Sequence, residues 1–555
     1  MEAKQPLQSE SKEHYSAIVD QPKYQAIRVG NKTLFSRAVG QFFTPPTIAT
    51  HLVNALVNLL PLKPISVVDP FAGDGRLIVA LLQGLSNIGW EKLLRISLWE
   101  RDSQVLKLAR RNVRLFASSC GIPIILRTRV CDTFRVASTF AEEFDLVVTN
   151  PPWEILKPDR RELKHLTGSD RDLYLSKLKS EDEFISHQYP LSQPSRKFSG
   201  WGTNLSRVGT EAAMLLVRKE GICAVVSPLS LFADQVSENL RRTIVSNYEL
   251  TDLAYFPAEG RFFKKVDQPS VTFVAKKRPP QRLCPVISVY NSSGELADAR
   301  RVRLTRKMVK STGYCLPLQL GAGGFEILSA FSNLPRLAEL ESNPDSLWAG
   351  RELDETDRHA FLTTRGRHPF LKGQMIQRFT IAEQPKLFIR ANGPRIPPSA
   401  SHSRLVWRDV ARPNQARRMH ATMIPASWVT GNSLNVAFFR DDDTTKLKAL
   451  LAIMNSIAFE VQVRALLATA HVSLGAVRRV HIPELTNRNI VLSLSTWVDK
   501  CLSGDLRAGV HFEVAVAKAY GLAKPRFREL LTFFPLLPEP HTRHLLDSHL
   551  WNAKH

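Results

Sequence analysis

Four consecutive residues, Asn150-Pro151-Pro152-Trp153, carry the groups needed to hold and activate a planar amine. An aryl amine is a poor nucleophile because its lone pair is delocalised into the ring. The Asn150 side-chain oxygen and the Pro151 carbonyl can each accept one N–H of such an amine, which favours a pyramidal nitrogen. The two prolines fix the backbone and remove amide donors, leaving carbonyls as acceptors. Trp153 offers a flat face for stacking a base. A proline-stiffened turn with a packed tryptophan would contain the same residues, so the preceding segment matters. Phe144 to Thr149 reads as a buried strand, and open α/β sheets place their active sites at the carboxyl ends of such strands.

Upstream, Val67 to Leu77 (VVDPFAGDGRL) is an apolar strand running into a glycine turn and then a helix. Gly73 and Gly75 permit unusual backbone angles and close approach, so amides at the helix start can meet a carboxylate such as that of a methionine moiety. Asp69, Phe71, Gly73 and Gly75 are therefore the first cofactor-side candidates. No Lys-Ser/Thr follows, which excludes a phosphate-binding P-loop, and Ile78 stands where a dinucleotide fingerprint needs its third glycine. The next strand ends at Trp99-Glu100, where Glu100 can accept from both ribose hydroxyls of an adenosine. Asp132, after the apolar stretch Ile122 to Leu126, can accept from an adenine amino group. Adenosine plus methionine points to S-adenosylmethionine, whose sulfonium supplies a methyl group. The protein then contributes positioning and electrostatics, and neither a metal nor a covalent intermediate is needed.

Apolar runs alternating with amphipathic stretches must position these groups. Strands are expected at Ile65 to Asp69, Leu94 to Trp99, Phe144 to Thr149, Ile222 to Ser227, Leu250 to Phe256 and Val271 to Ala275. Helices are expected at Leu77 to Leu85, Ser103 to Phe116, Thr210 to Arg218 and Val236 to Val245, each with apolar residues three and four apart. The pattern is α/β: a mainly parallel Rossmann-like sheet with helices on both faces. Glu154 to Leu205 reads as a long loop near the substrate. Residues 1–38 read as a polar extension with a short helix around His14 to Val19. The Lys276-Lys277-Arg278-Pro279-Pro280 break marks a junction, giving a catalytic domain over 39–283 and a mixed α+β domain over 284–555. That last part is expected to be helical from Thr444 to Ala468 and from Phe512 to Tyr520.

The chain has 555 residues, with 75 Lys and Arg against 52 Asp and Glu, a net charge of +23 that suits a polyanionic partner. Between Lys386 and Arg418, Arg390, Arg395, Arg404, Arg408, Arg412 and Arg417 can grip phosphates or guanine edges, with Trp407, Asn392, Asn414 and Gln415 interleaved for base readout. Six scattered cysteines show no zinc spacing and fit a reducing compartment. With no signal segment and no run of about 18 apolar residues, neither export nor a membrane partner is expected, and the protein is placed in the cytoplasm. Asp159, Glu162 and Lys164 lie too close in sequence to form a nuclease centre from two paired strands.

In the order of these motifs the chain resembles the gamma class of amino-DNA methyltransferases of restriction-modification systems, of type II or IIS character. It does so from the Gly40-Gln41-Phe42-Phe43-Thr44-Pro45-Pro46 segment through the glycine turn to Asn-Pro-Pro-aromatic. The resemblance implies that Thr44 contacts the cofactor. It also implies that an aromatic residue of Gly260-Arg261-Phe262-Phe263-Lys264-Lys265, Phe263 with Phe262 as the alternative, sandwiches a flipped base against Trp153. It further implies N6 of adenine in double-stranded DNA as substrate, a carboxyl-terminal target-recognition domain, a prokaryotic, nucleoid-associated setting and possible pairing with a separately encoded restriction endonuclease. Segments His368 to Gly373, Val406 to Asp409 and Ala470 to Ser473 are similar to recognition domains of such enzymes. RNA or protein-glutamine N-methylation, and a non-catalytic DNA-specificity role, are the alternatives.

Overall fold

A computed structural model describes residues 24–29, 32–38, 43–158, 163–164, 166–194, 202–263, 268–342, 346–355, 361–412, 415–467, 469–505 and 507–553. The expected helix at His14 to Val19 lies outside these residues, as do Gly40 to Phe42, Asp159, Glu162, Lys264, Lys265 and Asn414. The chain forms two compact units. One comprises Met1–Ser227 with Phe263–Lys265, the other Pro228–Phe262 with Val266–His555.

The first unit opens with an antiparallel hairpin, β1 (Tyr24–Val29) and β2 (Lys32–Ala38). Helix α1 (Pro46–Val57) follows, starting at a proline and burying Ile48, Leu52, Val53 and Leu56 on one stripe. Then come β3 (Ile65–Asp69), α2 (Arg76–Asn87), β4 (Leu94–Glu100), α3 (Ser103–Cys120), β5 (Ile124–Val130) and β6 (Phe144–Thr149). A two-residue pairing of β7 (Ile155–Leu156) with β8 (Thr203–Asn204) brackets α4 (Gly168–Gln188), and α5 (Leu205–Leu216) leads into β9 (Val217–Pro228). The order β9-β6-β3-β4-β5 is parallel at every pair. It is an α/β sheet of the expected type. Because β3 runs on to β4 and β5 while β6 lies on the opposite side of β3, the strand order reverses between β3 and β6. Open α/β sheets hold their ligands in the crevice at such a reversal.

Three expectations change here. Glu154 to Leu205 is not a loop but contains the 21-residue α4. That helix is polar nearly all round, burying only Tyr174 and Ile185, so it lacks an apolar stripe to read. The helix expected at Thr210 to Arg218 ends at Leu216, and Arg218 lies already in β9, ion-paired with Asp145 of β6. The stretch at Ile122 to Leu126 runs into a longer strand, β5, from Ile124, whose residues Ile125, Arg127 and Arg129 are exposed as at a sheet edge.

In the second unit α6 (Glu238–Asn247) precedes β10 (Glu249–Phe256), which pairs antiparallel with β11 (Ser270–Lys276) and parallel with β12 (Val286–Tyr290). β12 pairs antiparallel with β13 (Leu296–Arg301). Sheet structure thus continues past the Lys276–Pro280 break. Further on, Leu347–Gly350, Leu434–Phe439, Arg404–Arg408 and Ala421–Ile424 form a four-stranded sheet, and helices dominate from Thr444 onward. The helix expected over Thr444 to Ala468 is two, Thr444–Asn455 and Ile457–Leu466, bent by 63° at Ser456. Ser456 is extended (ψ 156°) and its hydroxyl accepts from Phe459 N–H, so a serine N-cap restarts the helix. The helix expected at Phe512 to Tyr520 is longer, Ala508–Ala519. Among the described residues no single helix is long and apolar enough to cross a membrane.

Candidate active site

Asp69 ends β3 and Asn150 follows β6, so both border the crevice set by the strand reversal. The turn after β3 is held by carboxylates. Asp69 is buried and accepts from Thr149 Oγ1 at 2.8 Å and Phe71 N–H at 3.1 Å. Burial outweighs these bonds and pushes its pKa up to about 7. Gly75, with φ +83°, caps α2, and a Cβ there would sit 3.1 Å from the Ala109 backbone in α3. Both the left-handed conformation and the close approach therefore demand glycine.

Glu100, at the tip of β4, reaches across this turn. One carboxylate oxygen accepts from Gly73 N–H at 3.1 Å, and the other from Arg101 and Asp102 N–H at 2.9 and 3.1 Å. Its pKa is also raised, chiefly by burial. Asp132 caps the short helix Thr133–Val136 by accepting from Phe134 N–H at 3.1 Å, and Thr133 donates to the Pro70 carbonyl. The tips of β3, β4 and β5 are thereby tied together with Asp69, Asp74, Glu100, Asp102 and Asp132 gathered at one end. Asp74 is paired with Arg76, whose guanidinium lies over the Phe43 ring at 4.5 Å. In a chain of net charge +23 this acidic cradle suits a ligand carrying hydroxyls and positive charge. A sulfonium nucleoside has both, so Glu100, Asp132 and the Gly73 turn fit the cofactor expected from the sequence.

On the other side of the crevice, Asn150 Nδ2 donates to Thr44 Oγ1 at 3.1 Å. Thr44 is buried, and this bond fixes the Asn150 amide. Pro151 is buried and Pro152 half-buried. The Trp153 and Phe263 rings lie in direct contact, with centroids 4.5 Å apart and planes tilted by 54°. A base sandwiched between two rings needs them nearly parallel and about 7 Å apart, twice the ~3.4 Å stacking distance. This slot is closed.

Two supporting features escaped the sequence reading. Gly209 in α5 lets that helix press on the tetrapeptide: a Cβ there would come 2.4 Å from Pro151 Cβ and 3.1 Å from the Phe71 ring. Tyr189 donates to the Phe134 carbonyl at 2.8 Å, and the Phe134 ring packs on Phe71 at 5.3 Å. A helix-interior glycine four residues after a helix start was the available signal for the first. Nothing local marked the second.

The six arginines of the second unit separate into two groups. Arg390, Arg395 and Arg412 are exposed. Arg404 and Arg417 are not available to a phosphate. Arg404 is fully buried with Glu352, and Arg417 is buried between Glu460 and Glu513 at 2.8 Å from each. Arg408 is half-buried and donates to the Ile376 carbonyl. Trp407 is 1% exposed inside the core rather than open to a base. Arg404, Trp407 and Arg408 lie on a strand covered on both faces, with Leu405 and Trp407 in one apolar cluster and Val406 in another, and Arg417 lies beyond it between two buried glutamates. Two of the segments flagged in the sequence do meet: Asp409 accepts from His471 Nδ1 at 2.9 Å, and Val472 N–H donates to the Asp409 carbonyl at 2.6 Å.

No curated protein matches the chain. Among solved structures, the type IIL restriction-modification enzyme MmeI, determined in complex with DNA, aligns with a TM-score of 0.51 at 10% identity over 90% of this chain and 75% of that one. It shows the fold. The type IIG restriction endonuclease BpuSI aligns at TM-score 0.40 and 14% identity over 88% of this chain and 65% of that one. DrdV, in a DNA complex, aligns at 0.45 and 12% over 84% and 57%. The chain thus spans less than two thirds of the BpuSI and DrdV chains. Residues 32–170, which hold β3 to β6 and the whole Asn150–Trp153 tetrapeptide, match the family model of N-6 DNA methylases.

Proposed function

We propose that the chain is an S-adenosylmethionine-dependent methyltransferase of the gamma class, acting on N6 of adenine in double-stranded DNA within a restriction-modification system. The observation that carries this reading is the placement of Asn150-Pro151-Pro152-Trp153 at the carboxyl end of β6, across the strand-order reversal from the Gly73–Glu100 turn. The match of residues 32–170 to the N-6 DNA methylases supports it. When bound, the cofactor supplies an electrophilic methyl group. Glu100 and Asp132 hold its hydroxyl and amino groups, and the acidic cradle balances its charge. Asn150, oriented by Thr44, and the Pro151 carbonyl accept the two N–H groups of the target amine and turn its lone pair outward. Trp153 and Phe263 part to admit a flipped base and stack on its two faces, excluding water. Residues 284–555 serve target recognition, with Arg390, Arg395 and Arg412 on the DNA backbone or base edges, and a separately encoded nuclease is the partner this reading implies.

Asn150→Ala should abolish methyl transfer to DNA, by ~10²-fold or more as when a transition-state hydrogen bond is removed. Cofactor binding, followed by calorimetry with S-adenosylhomocysteine, should survive. Retained transfer would sink the proposal.

A further inference from the structure

The second unit holds a cavity of about 560 Å³ at the end of its sheet opposite the carboxyl end of β10. It lies where α6 ends before β10, where the β11–β12 connection passes, and where the chain leaves β13, an edge secured by the Leu283–Leu304 bridge. The Pro257–Arg261 segment leaves β10 at its other end. Four cations line the cavity: Arg282, Arg303, Arg306 and Lys310. All four are exposed and none has a salt bridge among the described residues, whereas neighbouring Arg278 and Arg300 are paired with Glu249 and Asp298. No carboxylate lines it, and its floor is apolar, built on buried Leu304 and Val309.

Like charges gathered in a concave site repel one another, and low-dielectric walls focus their field on whatever enters. Arginine forks match phosphate oxygens two at a time, and the volume is that of a small-ligand site. We propose that this cavity is a phosphate-binding site, distinct from the crevice beside Asn150. The phosphate belongs either to a nucleic-acid strand running past the sheet edge or to a free nucleotide or pyrophosphate. The same guanidinium chemistry serves both.

The test uses the full chain carrying R303E/R306E, beside R303K/R306K and Asn150→Ala. Binding to a long duplex is measured from low to moderate salt, and binding of ATP and pyrophosphate by calorimetry. If the phosphate is nucleic-acid backbone, R303E/R306E makes the negative slope of log K against log salt shallower by about 2, near 0.9 per lost phosphate contact. If it is a free phosphate, the slope holds and ATP or pyrophosphate binding is lost. R303K/R306K should retain most of either, and Asn150→Ala all of it, so a failure here is separable from a failure of the methylation reading. Unchanged DNA slope together with unchanged or undetectable ATP and pyrophosphate binding in all variants overturns the proposal. Should R303E/R306E melt early, Arg282→Ser and Lys310→Gln, which line the same cavity, carry the same comparison.

Discussion

Burial acts on carboxylates in both units, with opposite results. In the first unit it drives Asp69, bonded to a hydroxyl and a backbone N–H, up to about 7, and raises Glu100, whose partners are backbone N–H groups. In the second, Glu460 is equally enclosed yet is held down to about 2, because Arg417 and Arg464 lie against it. Charges that hold the fold are neutralised from within, at a desolvation cost the partner offsets. Among the described residues Asp69, Glu100 and Asp132 have no such cation and are left for a ligand to complement. The difference separates structural from ligand-facing charge without reference to motifs.

The largest effect should come from breaking the internally neutralised set. Glu460→Gln leaves Arg417, Arg464 and the Arg418 and Met419 N–H groups short of an anion. A loss of about 3 to 5 kcal/mol in denaturant unfolding is expected. An acid limb also disappears. Glu460 has a folded pKa below its ordinary 4.5, so its contribution is present above that pH and is lost as pH falls toward 2. Loss of under about 1 kcal/mol would mean that the pairs are solvated and that the contrast between the units is not one of charge.

Next in size is Asp69→Asn. The folded pKa is raised, so the native state binds this proton more tightly. Stability from the neutral carboxyl is full below the ordinary 3.8 and is lost as pH rises to about 7. Thermal melting should therefore fall between pH 4 and 7 in the parent, with a slope of at most ~1.4 kcal/mol per pH unit from this group, and flatten in the variant. Equal slopes in both proteins would show that Asp69 titrates normally and that the crevice is wet.

Glu100→Ala should act on binding more than on folding. It removes the acceptor assigned to the ribose hydroxyls, and charged hydrogen bonds contribute about 1.5 to 3 kcal/mol. S-adenosylhomocysteine affinity should fall by about 10- to 100-fold in calorimetry, with a melting temperature only slightly lower from the loss of the Gly73, Arg101 and Asp102 N–H bonds. Unchanged affinity would detach Glu100 from the cofactor.

The sequence made the crevice legible because its strands are buried on both faces and read as nearly continuous apolar runs. β3 and β6 lie at the expected residues, and each carries a chemical group at its carboxyl end. Backbone turns with glycine are equally local, so Gly75 was readable. Three other features were not. The polar helix α4 offers no periodicity. Trp153 and Phe263 are 110 positions apart, and only the fold sets their spacing and tilt. The arginine run fails for a third reason: cover on both faces of a strand and distant glutamates decide which guanidinium is buried. Glu352, 52 positions from Arg404, accepts also from Ser399 and Thr430, a network with no local sequence mark.

That division among the arginines supplies the smallest effect and the sharpest use of the contrast. Arg390→Gln or Arg395→Gln removes an exposed charge with no salt bridge among the described residues, so melting should not move. If these residues meet phosphates, duplex binding should weaken and the salt slope should decrease by about 0.9 for each. Arg404→Gln should do the reverse. It strands Glu352 in a fully buried position and costs about 3 to 5 kcal/mol of stability, while the salt slope of the protein that remains folded stays unchanged. A slope change in Arg404→Gln equal to that in Arg390→Gln would place Arg404 on the DNA and undo the separation of structural from ligand-facing charge in this unit.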